Sequence, residues 1–168
     1  LKKLLNALEN MEYPLSGIFI FNNKSTDGTN EFLAQEGFKT ISKPNNSGQN
    51  GKYVFNSDQN LGGSGGFANA IKIAKEMNYD YLWIMDDDVL PEKNCLTLLL
   101  KMMDRENVQV TIPSRNDEFY QDRICKEFDF SSVTRYCPYS RENTIKYPLA
   151  KAGYYVAGKP SAGPLISR

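Results

Sequence analysis

Residues 81–85 read Tyr-Leu-Trp-Ile-Met, and Asp86, Asp87 and Asp88 follow at once. Three adjacent carboxylates repel one another, and no basic residue lies close by in sequence to offset them. An Asp-x-Asp pair such as Asp86 and Asp88, placed where a strand ends, can hold a divalent cation directly or through water. Phosphate oxygens then fill the remaining positions of the ion. The plainer reading is an acidic turn facing water. Against it stands the cost of setting three charges against an apolar run with no cation to join them. The sequence has no histidine, which excludes a Ser-His-Asp triad or a Cys-His pair within the chain and leaves oxygen ligands for any metal. Oxygen ligands favour Mg²⁺ or Mn²⁺.

Two further polar clusters could face a ligand. Residues 22–29, "NNKSTDGT", crowd Asn, Ser, Thr, Asp and Gly into a loop. Residues 60–66, "NLGGSGG", enter a helical stripe, and their glycines let backbone approach a flat or phosphorylated ligand. Neither is a phosphate-binding P-loop, because no Gly-Lys-Ser/Thr follows, and the glycine spacing does not fit the dinucleotide fingerprint. Asp27-Gly28-Thr29 matches the end of a haloacid-dehalogenase-type phosphatase motif. Ser25, however, stands where that chemistry needs its nucleophilic aspartate.

These clusters must be carried by regular elements. Leu1, Leu4, Leu5, Leu8 and Met11 recur at helical spacing, and Pro14 stops that helix. A short buried strand is predicted over residues 17–21. Ser25, Thr26 or Asp27 then caps a helix over about 28–34. Short strands follow near 38–42 and 53–56. Phe67, Ala70, Ile71, Ala74 and Met77 trace the next helix, ahead of the strand at 81–85. Leu96, Leu99, Leu100 and Met103 predict another helix, and Val108, Val110 and Ile112 a strand ending at Pro113. Strands alternating with helices argue for a mostly parallel sheet covered on both faces, where ligands bind beyond the carboxyl ends of the strands. All three polar clusters fall after strands or before helices. Residues 114–150 scatter aromatics among charges without a period, and strands are expected near 154–157 and 164–167.

The totals set outer limits. A chain of 168 residues suits one domain. Twenty basic residues against twenty acidic ones give no electrostatic case for binding nucleic acid. No apolar run reaches membrane-spanning length. Cys95, Cys125 and Cys137 are odd in number and widely spaced, as reduced cytosolic thiols are. A start at Leu1 rather than Met suggests a fragment.

Taken in order, "FIFNNKSTDGT", "NLGGSGGFANAIKIA" and "YLWIMDDDVLP" resemble three motifs of the family-2 inverting glycosyltransferases of the GT-A fold. They look like that family's strand plus Asp-Asn-x-Ser-x-Asp-Gly-Thr, its Asn-x-Gly-Gly-x-Gly-Gly segment and its Asp-x-Asp strand. The paired glycines and triple aspartate are most similar to the branch that includes galactofuranosyl- and rhamnosyltransferases. The resemblance is good over residues 1–113 and thin over 114–168, which would then be an acceptor-side region of the single domain 1–168.

That resemblance implies a GT-A-like α/β fold, mostly parallel and Rossmann-like, truncated at both ends. It implies inverting sugar transfer from a nucleotide-diphosphate sugar, UDP-linked by preference or dTDP-rhamnose, to a glycan or lipid-linked acceptor. By it, donor binding falls to Asn22, Asn23, Ser25, Asp27, Asn60, Gly62, Gly63, Asp86 and Asp87, and Mn²⁺ or Mg²⁺ to Asp86 and Asp88. The catalytic base is expected beyond Arg168, so the 168-residue chain alone is expected to be inactive. A cytoplasmic setting at the inner face of the membrane, reached through regions outside this sequence, and a role in cell-envelope polysaccharide synthesis go with it. Two departures stand out: Asn22 where the family has Asp, and Ala70 where it has Gly. Two other readings share parts of the pattern. A sugar nucleotidyltransferase needs a basic glycine-rich loop after the first strand, and none is present. A non-catalytic nucleotide-sugar-binding domain would need no base.

Overall fold

The computed structural model describes residues 1–43 and 50–113, and beyond them the backbone of four short strands. The element order is α1 (Lys2–Glu9), β1 (Gly17–Asn22), α2 (Thr29–Gln35), β2 (Lys39–Thr40), β3 (Gly51–Asn56), α3 (Gly62–Glu76), β4 (Tyr81–Trp83), α4 (Cys95–Glu106) and β5 (Val110–Pro113). The four short strands are β6 (Ile124–Cys125), β7 (Thr144–Ile145), β8 (Tyr155–Val156) and β9 (Leu165–Ser167). The irregular stretches expected between residues 114 and 150 lie outside the described residues, apart from the antiparallel β6–β7 pair.

The first sheet is parallel, in the order β1-β3-β2. Its register sets Gly17 against Gly51 and Asn22 against Asn56. Phe21 and Phe55, also partners in that register, stack with ring centroids 5.6 Å apart. The second sheet runs β4-β9-β5-β8 and is mixed. Strand β9 lies antiparallel between β4 and β5, whereas β5 and β8 are parallel. Helices flank this α/β arrangement, and α3 packs on both β1 and β4, so it joins the two sheets.

Two apolar clusters hold the layers together. Leu5 of α1, Leu33 of α2, Phe38 and Val54 of β3 are buried together, with Ile18, Ile20 and Phe32 against them. Burying a side chain of this size contributes about 1.5–3 kcal/mol. On α4, Cys95, Leu96, Leu99 and Met103 form the other cluster, with Met11, Leu15 and Trp83 packed on it. Cys95 is therefore a thiol within the core. Lys52 adds a polar clasp: its Nζ lies 2.6 Å from Glu9 Oε1 and donates to Glu36 O at 3.3 Å, at the carboxyl end of α2. A cation suits that end of a helix.

Several boundaries differ from the sequence expectation. Helix α1 stops at Glu9, well before Pro14, because Asn10 takes φ −102° and its side chain donates to Asn6 O. Met11 then leaves the helix and joins the α4 cluster. Strand β4 ends at Trp83, two residues short of Met85, and is half-exposed rather than buried. Strand β1 is likewise half-buried up to Phe21, since β3 is its one neighbour among the described residues. The helix after the first loop starts on Gly28, whose φ of +83° suits glycine, and no side chain caps it. Asp27, one of the three expected caps, stands one residue before that N-cap glycine and accepts from the Thr29 N–H and hydroxyl.

Candidate functional site

The carboxyl end of β1 carries the first expected cluster. Asn22 closes the strand with only 4% of its surface exposed, so its amide must find partners inside the protein. It finds three. Nδ2 donates to Asn30 Oδ1 at 2.7 Å and to Asn56 Oδ1 at 3.1 Å, and Oδ1 accepts from Ser25 N at 3.0 Å. Asn30 lies on α2 and Asn56 ends β3, so one side chain ties strand, loop and helix. Its backbone carbonyl also accepts from Ser57 N. Both N–H donors of Asn22 are therefore committed.

Asn23 faces the other way. Nδ2 donates to Asn60 Oδ1 at 3.2 Å and to Gly62 O at 3.0 Å, while Oδ1 accepts from Leu61 N at 2.8 Å. Asn60 Oδ1 also accepts from Gly62 N at 2.9 Å. The loop at residues 22–29 and the glycine-rich entrance of α3 thus meet through asparagine amides. Among the side chains left open there are the Ser25 hydroxyl, the outer carboxylate oxygen of Asp27 and Asn60 Nδ2, none of which has a partner among the described residues. The hydrogen bond from the Thr29 hydroxyl, followed by that from the Thr29 N–H, holds the Asp27 carboxyl below the usual carboxylate range.

The glycines of this segment divide into two kinds. Gly62 takes φ +68° and Gly63 has open space where a side chain would stand, so these two can admit a ligand. Gly65 and Gly66 instead face the protein. A Cβ on Gly65 would lie 2.8 Å from Leu61 Cβ, and one on Gly66 would lie 3.3 Å from Asn23 Nδ2.

The acidic cluster is built differently. Asp86, Asp87 and Asp88 follow β4 in an exposed turn, and none has a hydrogen bond or ion pair among the described residues. Also among the described residues, no three Cys, Asp or Glu side chains converge on a metal-sized site. Oxygen donors on a water-facing turn fit an ion that takes one or two protein carboxylates and completes its shell with phosphate and water. No hydrogen bond among the described residues joins this turn to the asparagine cluster, and the element that touches both strands is α3.

One open groove of about 770 Å³ lies elsewhere, between α1 and the approach to α4, where Asn6, Asn10, Glu12 and Lys93 line it. None of the expected donor-binding residues borders it. Two participants escaped the motif reading, namely Asn30 and Asn56. Their signal was faint, since each is an ordinary polar residue until β1 and β3 are placed in register. Among the described residues no helix is long and apolar enough to cross a membrane.

No curated protein and no solved structure matches the chain. The family model for glycosyl transferase family 2 matches residues 1–155, well past the stretch where the motifs thin out. With polar loops gathered after β1 and before α3, an acidic turn after β4 and a family match over nearly its whole length, this chain belongs to glycosyl transferase family 2.

Proposed function

We propose that this glycosyltransferase takes its sugar from a nucleoside diphosphate, UDP before dTDP, and passes it with inversion to a glycan or lipid-linked acceptor. The observation that carries the donor side is the turn at Asp86–Asp88, three exposed carboxylates without a protein partner among the described residues. A diphosphate brings further negative charge, so the pair needs a cation between them. Asp86 and Asp88 would hold Mn²⁺ or Mg²⁺, which when bound offsets charge on the departing nucleoside diphosphate.

The remaining roles fall to groups that the protein has not already used. Asn22 and Asn23 shape the pocket, their N–H donors being committed internally. Ser25, Asp27 and Asn60 Nδ2 are left to meet base and ribose, Gly62 and Gly63 offer close backbone approach, and Asp87 lies beside the metal pair. With an amide at position 22, recognition that a carboxylate would provide there shifts to Asp27, which stays ionised because Thr29 stabilises its charged form. The paired glycines and triple aspartate support the galactofuranosyl- and rhamnosyltransferase branch. Action at the inner face of the cell membrane fits a lipid-linked acceptor.

A thermal-shift panel of UDP-, GDP- and dTDP-sugars, each with and without Mn²⁺, tests this reading. A ligand that binds only the folded chain raises its melting temperature with occupancy. The expected outcome is a Mn²⁺-dependent rise largest for a UDP-sugar. No rise with any nucleotide sugar would overturn the proposal.

A further inference from the structure

We propose that Asn23 is a positioning residue, which fixes the first loop against the entrance of α3, and that Gly66 is glycine in order to admit it. The inference rests on the donor-binding reading and assigns to Asn23 an action through its neighbours rather than on the nucleotide. This side chain donates to Asn60 Oδ1 and Gly62 O and accepts from the Leu61 N–H, and all three bonds cross to one segment 37–39 residues away in sequence. Both amide N–H groups are used, so no donor is left for a ligand. Gly66 is buried, and a Cβ there would stand 3.3 Å from Asn23 Nδ2 and 3.6 Å from its Cγ. That contact is tight enough to push the amide out of line with Asn60 and Gly62. The two segments so joined carry Ser25 and Asp27 on one side and Asn60, Gly62 and Gly63 on the other. A fixed separation between them means that a nucleotide meets both walls without first ordering either.

A double-mutant cycle over Asn23→Ala and Gly66→Ala tests this, because residues in direct contact act non-additively. Amide hydrogen exchange at Leu61 and Gly62 reads the joint itself, and calorimetric titration with UDP and Mn²⁺ reads its consequence. Asn23→Ala is expected to speed exchange at Leu61 at least tenfold and to weaken UDP about tenfold, with the melting temperature little changed. Gly66→Ala should act in the same direction and less. The double variant should be no worse than Asn23→Ala alone, since the methyl then enters space the amide has left. Asn23→Ser/Gly66→Ala, with a short hydroxyl beside the methyl, should recover part of the affinity. Additive losses, or unchanged exchange at Leu61 in Asn23→Ala, would overturn the joint. Faster exchange with unchanged UDP affinity would reduce Asn23 to a structural tie and overturn its positioning role. Wild-type protein that binds no UDP, yet shows the coupled exchange, would instead overturn the donor reading on which that role depends.

Discussion

The loop after β1 and the turn after β4 are both polar and both close a strand, yet they differ in what they do with their polar groups. After β1, Asn22 and Asn23 spend their amides on Asn30, Asn56, Asn60 and the backbone of Ser25, Leu61 and Gly62. After β4, Asp86, Asp87 and Asp88 stand in water with no protein partner among the described residues. Amides can satisfy each other because each carries donors and an acceptor, whereas neighbouring carboxylates carry acceptors alone and repel. The first region is a framework that holds a shape. The second leaves its acceptors open to water, where the proposed cation would sit.

That difference orders what mutations should do. The largest effect on binding is expected at Asp88. Asp88→Asn keeps the shape and removes one charge, so Mn²⁺-dependent stabilisation by UDP should fall at least tenfold in apparent affinity. The ligand-free melting temperature should hold or rise slightly as repulsion is relieved. Thermal shifts of the variant beside wild type check both halves, and an unchanged response to UDP with Mn²⁺ would remove Asp88 from the metal pair.

At Asn22, the buried member of the framework, the same kind of change should act on stability. Asn22→Ala leaves Asn30, Asn56 and the Ser25 N–H without their shared partner next to a buried position. Each unsatisfied buried group costs about 1–3 kcal/mol, and part of this is recovered where water enters. A loss of about 2–3 kcal/mol in urea unfolding is expected, and a loss under 0.5 kcal/mol would mean that the cluster is not a framework.

How much of this contrast the sequence revealed depends on the distance over which each signal acts. The acidic turn was legible because its chemistry is local: three like charges after an apolar run need no fold to be noticed. The alternation of strands and helices was legible through periodicity, and α3 and α4 lie where Phe67, Ile71, Leu96 and Leu99 put them. The asparagine framework was not legible. Asn22 pairs with Asn56 only because β1 and β3 run parallel in one register, and no local pattern encodes a register between strands 34 residues apart. Gly65 and Gly66 misled for a related reason. Glycine beside a candidate pocket suggests ligand access, but their missing side chains make room for Leu61 and Asn23. The early end of α1 at Asn10 leaves Met11 to pack on the α4 cluster despite its helical spacing.

The amino ends of the same strands are close-packed instead. There Gly17 and Gly51 are partners in register, and a Cβ on Gly17 would lie 2.5 Å from the Tyr79 hydroxyl. Gly17→Ala should destabilise the chain by about 1–2 kcal/mol through overpacking. It should leave UDP affinity unchanged, since this is the amino end of β1. A loss of affinity equal to that of Asp88→Asn would show that the two ends are not independent.

The smallest effect is expected from Tyr79 itself. Burial first, and then the nearby Tyr53, push its hydroxyl above the ordinary tyrosine value of 10.0. The folded state therefore holds this proton more tightly than the unfolded chain. The resulting stability is fully present below pH 10 and is lost as pH rises through the folded-state value. Tyr79→Phe should flatten the decline in melting temperature above pH 10 relative to wild type. An identical alkaline slope in both proteins would contradict the assignment.

One calorimetric comparison decides whether the acidic turn binds a nucleotide's diphosphate through a cation. UDP is titrated into the wild-type chain with Mn²⁺ present, and again with the metal removed by a chelator. Saturable one-to-one binding with Mn²⁺, lost when the chelator is added, is the predicted result. Equal UDP affinity with and without the metal would contradict the claim, because Asp86 and Asp88 would then play no part in holding the donor.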